Sequence, residues 1–153
     1  MNKKILVVLT FLIVVTGMTA VSAFDLGNIF GSGEAKNVTI EGFNFTIPAG
    51  FDESEQNDTQ QAIESFKKDG FNITSKIYAK GSTVFSISIV NATASGKVID
   101  NDAFKARGNA TKINNVDGVM NSDDDLKTFK YVKDDCLFVI TTNDESILKE
   151  IIK

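Results

Sequence analysis

The chain has 153 residues, 24% of them charged and 42% apolar, with a formal net charge of −4 and no His, no Trp, one Cys and one Pro. Without His there is no Ser-His-Asp or Cys-His catalysis, no His-containing zinc site and no imidazole pH switch. One Cys excludes a disulfide within the chain and a Cys-based metal cluster.

The N-terminus carries the three parts of an export signal. Lys3 and Lys4 form a basic start, Ile5–Val15 is an uninterrupted run of largely apolar residues, and Val21-Ser22-Ala23 places small residues before a cleavage point. The pattern predicts a signal peptide over residues 1–23. The alternative is a retained anchor, because residues 5–24 carry no charge and are long enough to span a bilayer. Lys3 and Lys4 favour the cytoplasmic side, so either outcome places the rest of the chain outside. No Cys follows the apolar run, which excludes a lipoprotein-type anchor. Beyond Ala23 the net charge becomes −6, from 14 basic and 20 acidic residues. That sign argues against nucleic acid and anionic lipid as partners.

Residues 24–36 hold three Gly and no sustained period, which reads as a flexible spacer. A single domain is expected over 37–153. Val38–Ile40 and Phe43–Ile47 around Glu41-Gly42 predict a hairpin that stops at Pro48-Ala49-Gly50. Glu53–Asp69 is polar with Ala62, Ile63 and Phe66 at helical spacing and Gly70 at its end, the pattern of a helix. Phe71–Ala79 and Thr83–Val90 predict a second hairpin. In it Phe85, Ile87 and Ile89 face a dry side, with Ser86 and Ser88 facing a wet one. A polar loop is expected from Asn91 to Lys97 and a short helix over Asp100–Arg107, ended by Gly108.

Thr111–Val116 and Val119–Asn121 flank Asp117-Gly118, a hairpin-turn dipeptide. Lys127–Val132 and Cys136–Thr142 flank Lys133-Asp134-Asp135. Asn143–Lys153 ends the chain as an amphipathic helix capped by Asn or Asp, with Ile147, Leu148, Ile151 and Ile152 toward the core. Strands and helices in this order predict an α+β fold, an antiparallel sheet with helices packed on one face in a two- or three-layer sandwich.

The exported part is rich in Asn-x-Thr. The triplet occurs at Asn37, Asn44, Asn57, Asn72, Asn91 and Asn109, none with Pro in the middle. Its 12 Asn and 10 Thr would form about one such triplet by chance, so six point to N-glycosylation acceptors. Alternation places Asn44 and Asn72 on wet strand faces. Asn37, Asn57, Asn91 and Asn109 are expected in linkers or loops.

Other chemistry is sparse. Asn121-Ser122-Asp123-Asp124-Asp125 offers hard oxygens but lacks the Gly and distal Glu of an EF-hand loop. A solvated hairpin loop is expected there, with Asp117, Asp123 and Asp125 as the ligands if calcium binds. Cys136 is expected as a small buried hydrophobe, the alternative being a reactive or intermolecular thiol. Phe43, Phe45, Phe85 and Phe129 are expected in the core, although such a row also lines apolar ligand cavities. No cofactor is expected.

Gly42–Phe51, Lys112–Gly118, Tyr131-Val132-Lys133-Asp134-Asp135 and the terminal Ile147–Lys153 resemble segments of small exported proteins of methanogenic archaea. That resemblance implies a secreted or cell-surface protein in organisms that N-glycosylate their envelopes. More distantly, the Ile47-Pro48-Ala49-Gly50-Phe51 turn, followed by a helix, a hairpin, Val116-Asp117-Gly118, two strands and a final helix, is similar to Mog1/PsbP-like domains. Phe51 stands where many of those carry Trp. The likeness implies a curved antiparallel sheet packed with helices, acting as an accessory or binding module, and lends no catalytic residue. The expected function is therefore an exported, N-glycosylated, non-enzymatic module with an envelope or extracellular partner. The alternatives are a secreted hydrolase using an Asp/Glu pair and a carrier of an apolar ligand.

Overall fold

A computed structural model describes residues 33–54, 64, 67, 71–91 and 108–153. The signal over 1–23, most of the 24–36 spacer, the loop after Asn91 and the helix over 100–107 lie outside these residues. So does most of the helix expected over 53–69, of which Glu53 and Ser54, in a strand, and Glu64 and Lys67, both helical and exposed, are described.

Short runs of alternating aromatic or β-branched residues, each stopped by a turn, give nine strands: β1 (Lys36–Ile40), β2 (Phe43–Ile47), β3 (Asp52–Ser54), β4 (Asn72–Lys80), β5 (Thr83–Asn91), β6 (Asn109–Ile113), β7 (Val116–Asp123), β8 (Leu126–Lys133) and β9 (Cys136–Thr142). One helix is described in full, α1 (Ser146–Ile151). β1 and β2 form a two-stranded sheet. The others form a seven-stranded sheet in the order β3-β4-β5-β9-β8-β7-β6, and every neighbouring pair is antiparallel. The large sheet is thus two meanders joined along β5 and β9, where Phe85 pairs with Thr142 and Asn91 with Cys136.

This overturns the α+β expectation. Strands hold 65% of the described residues and helix 9%, so the described fold is mostly β. The physical reason lies in what covers the dry face of the large sheet. Where a helical layer was expected, the β1–β2 hairpin lies across it: Phe43 sets its ring edge-on against Phe138 at 4.7 Å and Phe45 lies 6.2 Å away. Helix α1 is under two turns long, too short to form a layer. It fills the space beside β2 and β9 with Ile147, Leu148 and Ile151, and Ile152 is buried just beyond it. The start of the expected 53–69 helix is also strand, because Glu53 pairs with Tyr78 and Asp52 with Ala79.

Alternation places Phe85, Ile87, Ile89, Phe129, Tyr131, Phe138 and Ile140 on the dry face, all at most 8% exposed. Tyr131 stacks on Phe138 at 4.8 Å and Tyr78 on Phe85 at 5.1 Å. Burying rings of this size contributes roughly 2–3 kcal/mol each, enough for a core without Trp or cross-links.

The opposite face departs from the expected wet surface. Ser86 and Ser88 are 4% and 6% exposed, and Ile73, Ile77, Val90, Val119, Leu137 and Val139 on the same face are buried with them. The buried hydroxyls satisfy one another across the ladders: Ser75 with Ser88 at 2.9 Å and Thr128 with Thr141 at 3.1 Å. Serine on an alternating strand marks a face as polar, but it does not make it wet.

The sixth-to-seventh strand turn is also displaced from its expected place. Asn114 and Asn115, at φ 45° and 69°, make the turn, and Asp117-Gly118 lies inside β7. Asn tolerates the left-handed region that a two-residue hairpin needs. Gly118 is required for another purpose: a Cβ there would meet the Lys130 carbonyl oxygen and Phe129 Cζ, each at 2.4 Å. The turns at Glu41-Gly42, Gly81-Ser82 and Asp134-Asp135 stand where the sequence predicts them.

Two asparagines stitch turns to the chain's end. Asn114 Nδ2 donates to the carbonyls of Lys149 and Ile152 at 2.6 and 2.8 Å, satisfying the C-terminal end of α1. Asn143 accepts from Val84 N–H and donates to Ser82 O, which fixes the β4–β5 turn against the strand end.

Candidate functional site

Of the residues singled out in the sequence, the Asn-x-Thr asparagines Asn37, Asn44, Asn72 and Asn91 are the ones the fold brings into pairs. The turn at Glu41-Gly42 sets the register of β1 and β2, pairing Asn37 with Thr46 and Thr39 with Asn44. Two Asn-x-Thr triplets thereby interlock, each asparagine opposite the other triplet's threonine. Thr39 Oγ1 donates to Asn44 Oδ1 at 2.8 Å, and Thr46 Oγ1 donates to Asn37 Oδ1 at 3.1 Å. Lys153 Nζ donates in turn to Thr46 Oγ1 at 3.1 Å, orienting that hydroxyl toward Asn37.

Residues two apart share a face, so all four side chains project from one side of the hairpin. The opposite side carries Phe43, Phe45 and Ile47, which pack inward. Each bond uses the amide oxygen and leaves the amide nitrogen, the atom to which an N-linked sugar would attach, directed away from it. Asn37 and Asn44 are both exposed and sit diagonally across the ladder, about 7–8 Å apart at this register.

A second pair lies nearby. Asn72 opens β4, Asn91 closes β5, and the register sets them directly opposite each other. Asn72 is exposed and Asn91 half-buried. Thr74, the third residue of the Asn72 triplet, donates to Glu41 Oε1 at 2.5 Å, tying this strand end to the β1–β2 turn. Asn109 opens β6 and is exposed, and Thr111 donates back to its carbonyl at 3.0 Å. Asn57 lies outside the described residues. Asn37, Asn91 and Asn109, expected in linkers or loops, are instead strand residues, because the strands run one or two residues past the stretches expected for them. The interlock was missed in the sequence. Its signal is the symmetry of the two triplets about the Glu41-Gly42 turn.

The calcium candidates do not converge. Asp117 and Asp123 stand near opposite ends of β7, about 20 Å apart along an extended strand. Asp117 pairs with Lys112 at 3.3 Å, and Asp125 sits in the β7–β8 turn. Among the described residues no group of three or more Cys, Asp or Glu could hold a metal ion.

Cys136 is 5% exposed at the start of β9. Burial, with the carboxylates of Asp134, Asp135 and Glu41, pushes its thiol pKa up and disfavours the reactive thiolate. Phe45, Phe85 and Phe129 are buried in the core, and Phe43 is packed against it. Three other described carboxylates have local partners: Asp52 with Lys36 at 2.9 Å, Glu53 with Lys76, and Asp144 with the Ser146 amide and hydroxyl at 3.0 and 2.7 Å. Among the described residues no helix is long and apolar enough to cross a membrane.

Neither a protein-family model, nor a curated protein, nor a solved structure matches the chain.

Proposed function

We propose that the chain is an exported, N-glycosylated binding or accessory module of the cell surface or extracellular space, without catalytic activity of its own. The observation that carries this reading is the placement of the acceptors. Asn37, Asn44, Asn72 and Asn109 are all exposed, and on β1 and β2 alternation sends the apolar neighbours of Asn37 and Asn44 inward. Six acceptor triplets behind an export signal are what an extracellular glycoprotein requires.

The non-enzymatic part of the reading is supported by the carboxylates. Asp52, Glu53, Asp117, Glu41 and Asp144 are each spent on a local ion pair or hydrogen bond. A hydrolytic Asp/Glu pair instead needs two carboxyls facing one cleft. The partner is an envelope or extracellular component rather than nucleic acid, given the −6 charge beyond Ala23. Any direct membrane attachment would run through residues 5–24.

Surface labelling of the producing cells with an impermeant reagent, followed by intact mass of the recovered chain, tests the reading. Labelling together with a mass above that of the sequence is expected. An unlabelled chain, or one of unmodified mass, would overturn it.

A further inference from the structure

The acceptors are distributed over the sheets in a pattern that the need for solubility alone does not explain. A sheet edge exposes unpaired N–H and C=O groups, which template pairing with another chain. Five strands have such an open side among the described residues. β1 and β2 each pair on one side only in the small sheet, and β6 closes one side of the large one. On the other side β3 pairs only with Ile77–Ala79, so Asn72–Lys76 of β4 has a strand neighbour only in β5. Four of the five carry one acceptor: Asn37 on β1, Asn44 on β2, Asn72 on open β4 and Asn109 on β6. β3 itself is three residues long and carries two carboxylates, which are ordinary edge protections. Of β5, β7, β8 and β9, which have neighbours on both sides, only β5 has an acceptor, at its last residue.

β6 is the edge with the least protection of its own. It is five residues long, without a strand partner on one side among the described residues, free of Pro and mostly exposed. Its single charge, Lys112, is partnered by Asp117 on the adjacent strand. With Ile113–Val116 closing a two-residue turn, the hydrogen-bonded pairs are those of residues 109, 111 and 113. The N–H groups of Ala110 and Lys112 therefore point outward. An antiparallel strand is self-complementary about a twofold axis, so the natural occupant of this edge is β6 of a second copy.

We propose that N-glycans guard the open edges of this fold, and that the one on Asn109 prevents antiparallel β6–β6 pairing between two copies of the chain. The proposal rests on the glycoprotein reading above. A branched sugar on the first residue of the edge strand sweeps the volume that a second strand would occupy, without touching the core.

The test compares the chain from an N-glycosylating host with unmodified chain from a host that lacks the pathway, by sedimentation velocity and site-resolved mass spectrometry. The glycosylated protein is expected to be monomeric and the unmodified chain to double in mass. In the glycosylating host, Asn109→Gln is expected to dimerise and Asn44→Gln, whose strand lies beside α1, to stay monomeric. Ala110→Pro in the unmodified chain removes one outward N–H without breaking the β6–β7 ladder, and is expected to restore the monomer. An unmodified chain that remains monomeric at high concentration, or a dimer that persists in Ala110→Pro, overturns the edge proposal alone. Sugar at other sites but not at Asn109 does the same. Sugar at no site overturns the glycoprotein reading as well.

Discussion

Gly118→Ala is the substitution that most sharply probes the register of the large sheet. The added Cβ would lie 2.4 Å from the Lys130 carbonyl oxygen and 2.4 Å from Phe129 Cζ. Ordinary contact needs about 1 Å more, and neither neighbour can readily yield it. The carbonyl belongs to the β7–β8 ladder, and the Phe129 ring is fully buried among Tyr131 and the rest of the core. Overpacking of this kind costs about 1–3 kcal/mol, and contact on two sides puts this site near 3 kcal/mol. For a domain of this size that is a fall of about 10 °C in melting temperature. Denaturant unfolding should show a lower midpoint at unchanged slope. Asn115→Gly is the companion variant. At φ 69° glycine suits the turn, so stability should hold or rise slightly. The reasoning is falsified if Gly118→Ala melts within experimental error of the parent while Asn115→Gly is destabilised by about 1 kcal/mol, since that is the outcome for a turn at Asp117-Gly118.

Other consequences are equally direct. Asn114→Ala loses both bonds to the end of α1 and strains a residue at φ 45°, for about 2–3 kcal/mol, whereas Asn114→Gly relieves the strain and should lie between it and the parent in urea melts. Tyr78 and Tyr131 are both pushed up to about 12, Tyr78 by burial and then Glu53, Tyr131 by burial. Their folded values exceed the unfolded value near 10, so their contribution to stability is intact below about pH 10 and lost as pH rises toward 12. With no Trp to obscure it, near-ultraviolet phenolate absorbance should titrate near 12 in the native protein and near 10 in denaturant; coincident curves would contradict the buried placement. The hydrogen bonds from Ser146 hold the Asp144 carboxyl below its ordinary value, so its contribution is present at neutral pH and lost as pH falls through that lowered value. Asp144→Ala should therefore be less stable than the parent at neutral pH and indistinguishable from it in strong acid.

How far the sequence could be read depended on the range of the interactions involved. Local chemistry was legible: Glu41-Gly42, Gly81-Ser82 and Asp134-Asp135 turn where their residue types require it, and Ile147, Leu148, Ile151 and Ile152 are buried as their spacing predicts. What failed depended on partners distant in sequence. Gly118 resembles a turn glycine until Phe129, eleven residues on, is laid over it. Ser86 and Ser88 resemble a wet face until the far strand contributes Val139 and Thr141 beside them. The layer covering the core was assigned to helices because amphipathic spacing is easy to see, while a five-residue hairpin strand carrying Phe43 and Phe45 shows its inward face only once it is docked on Phe138. The acceptor triplets were visible from the start. Their pairing, and their place on the edges, needed the register.

The central claim is that these triplets carry sugar on the exposed ladders of an exported chain. Site-resolved glycopeptide mapping of the protein from its native producer measures this most directly. Glycan is predicted on Asn37, Asn44, Asn72 and Asn109, the four exposed acceptors. Unmodified asparagine at all four would contradict the account.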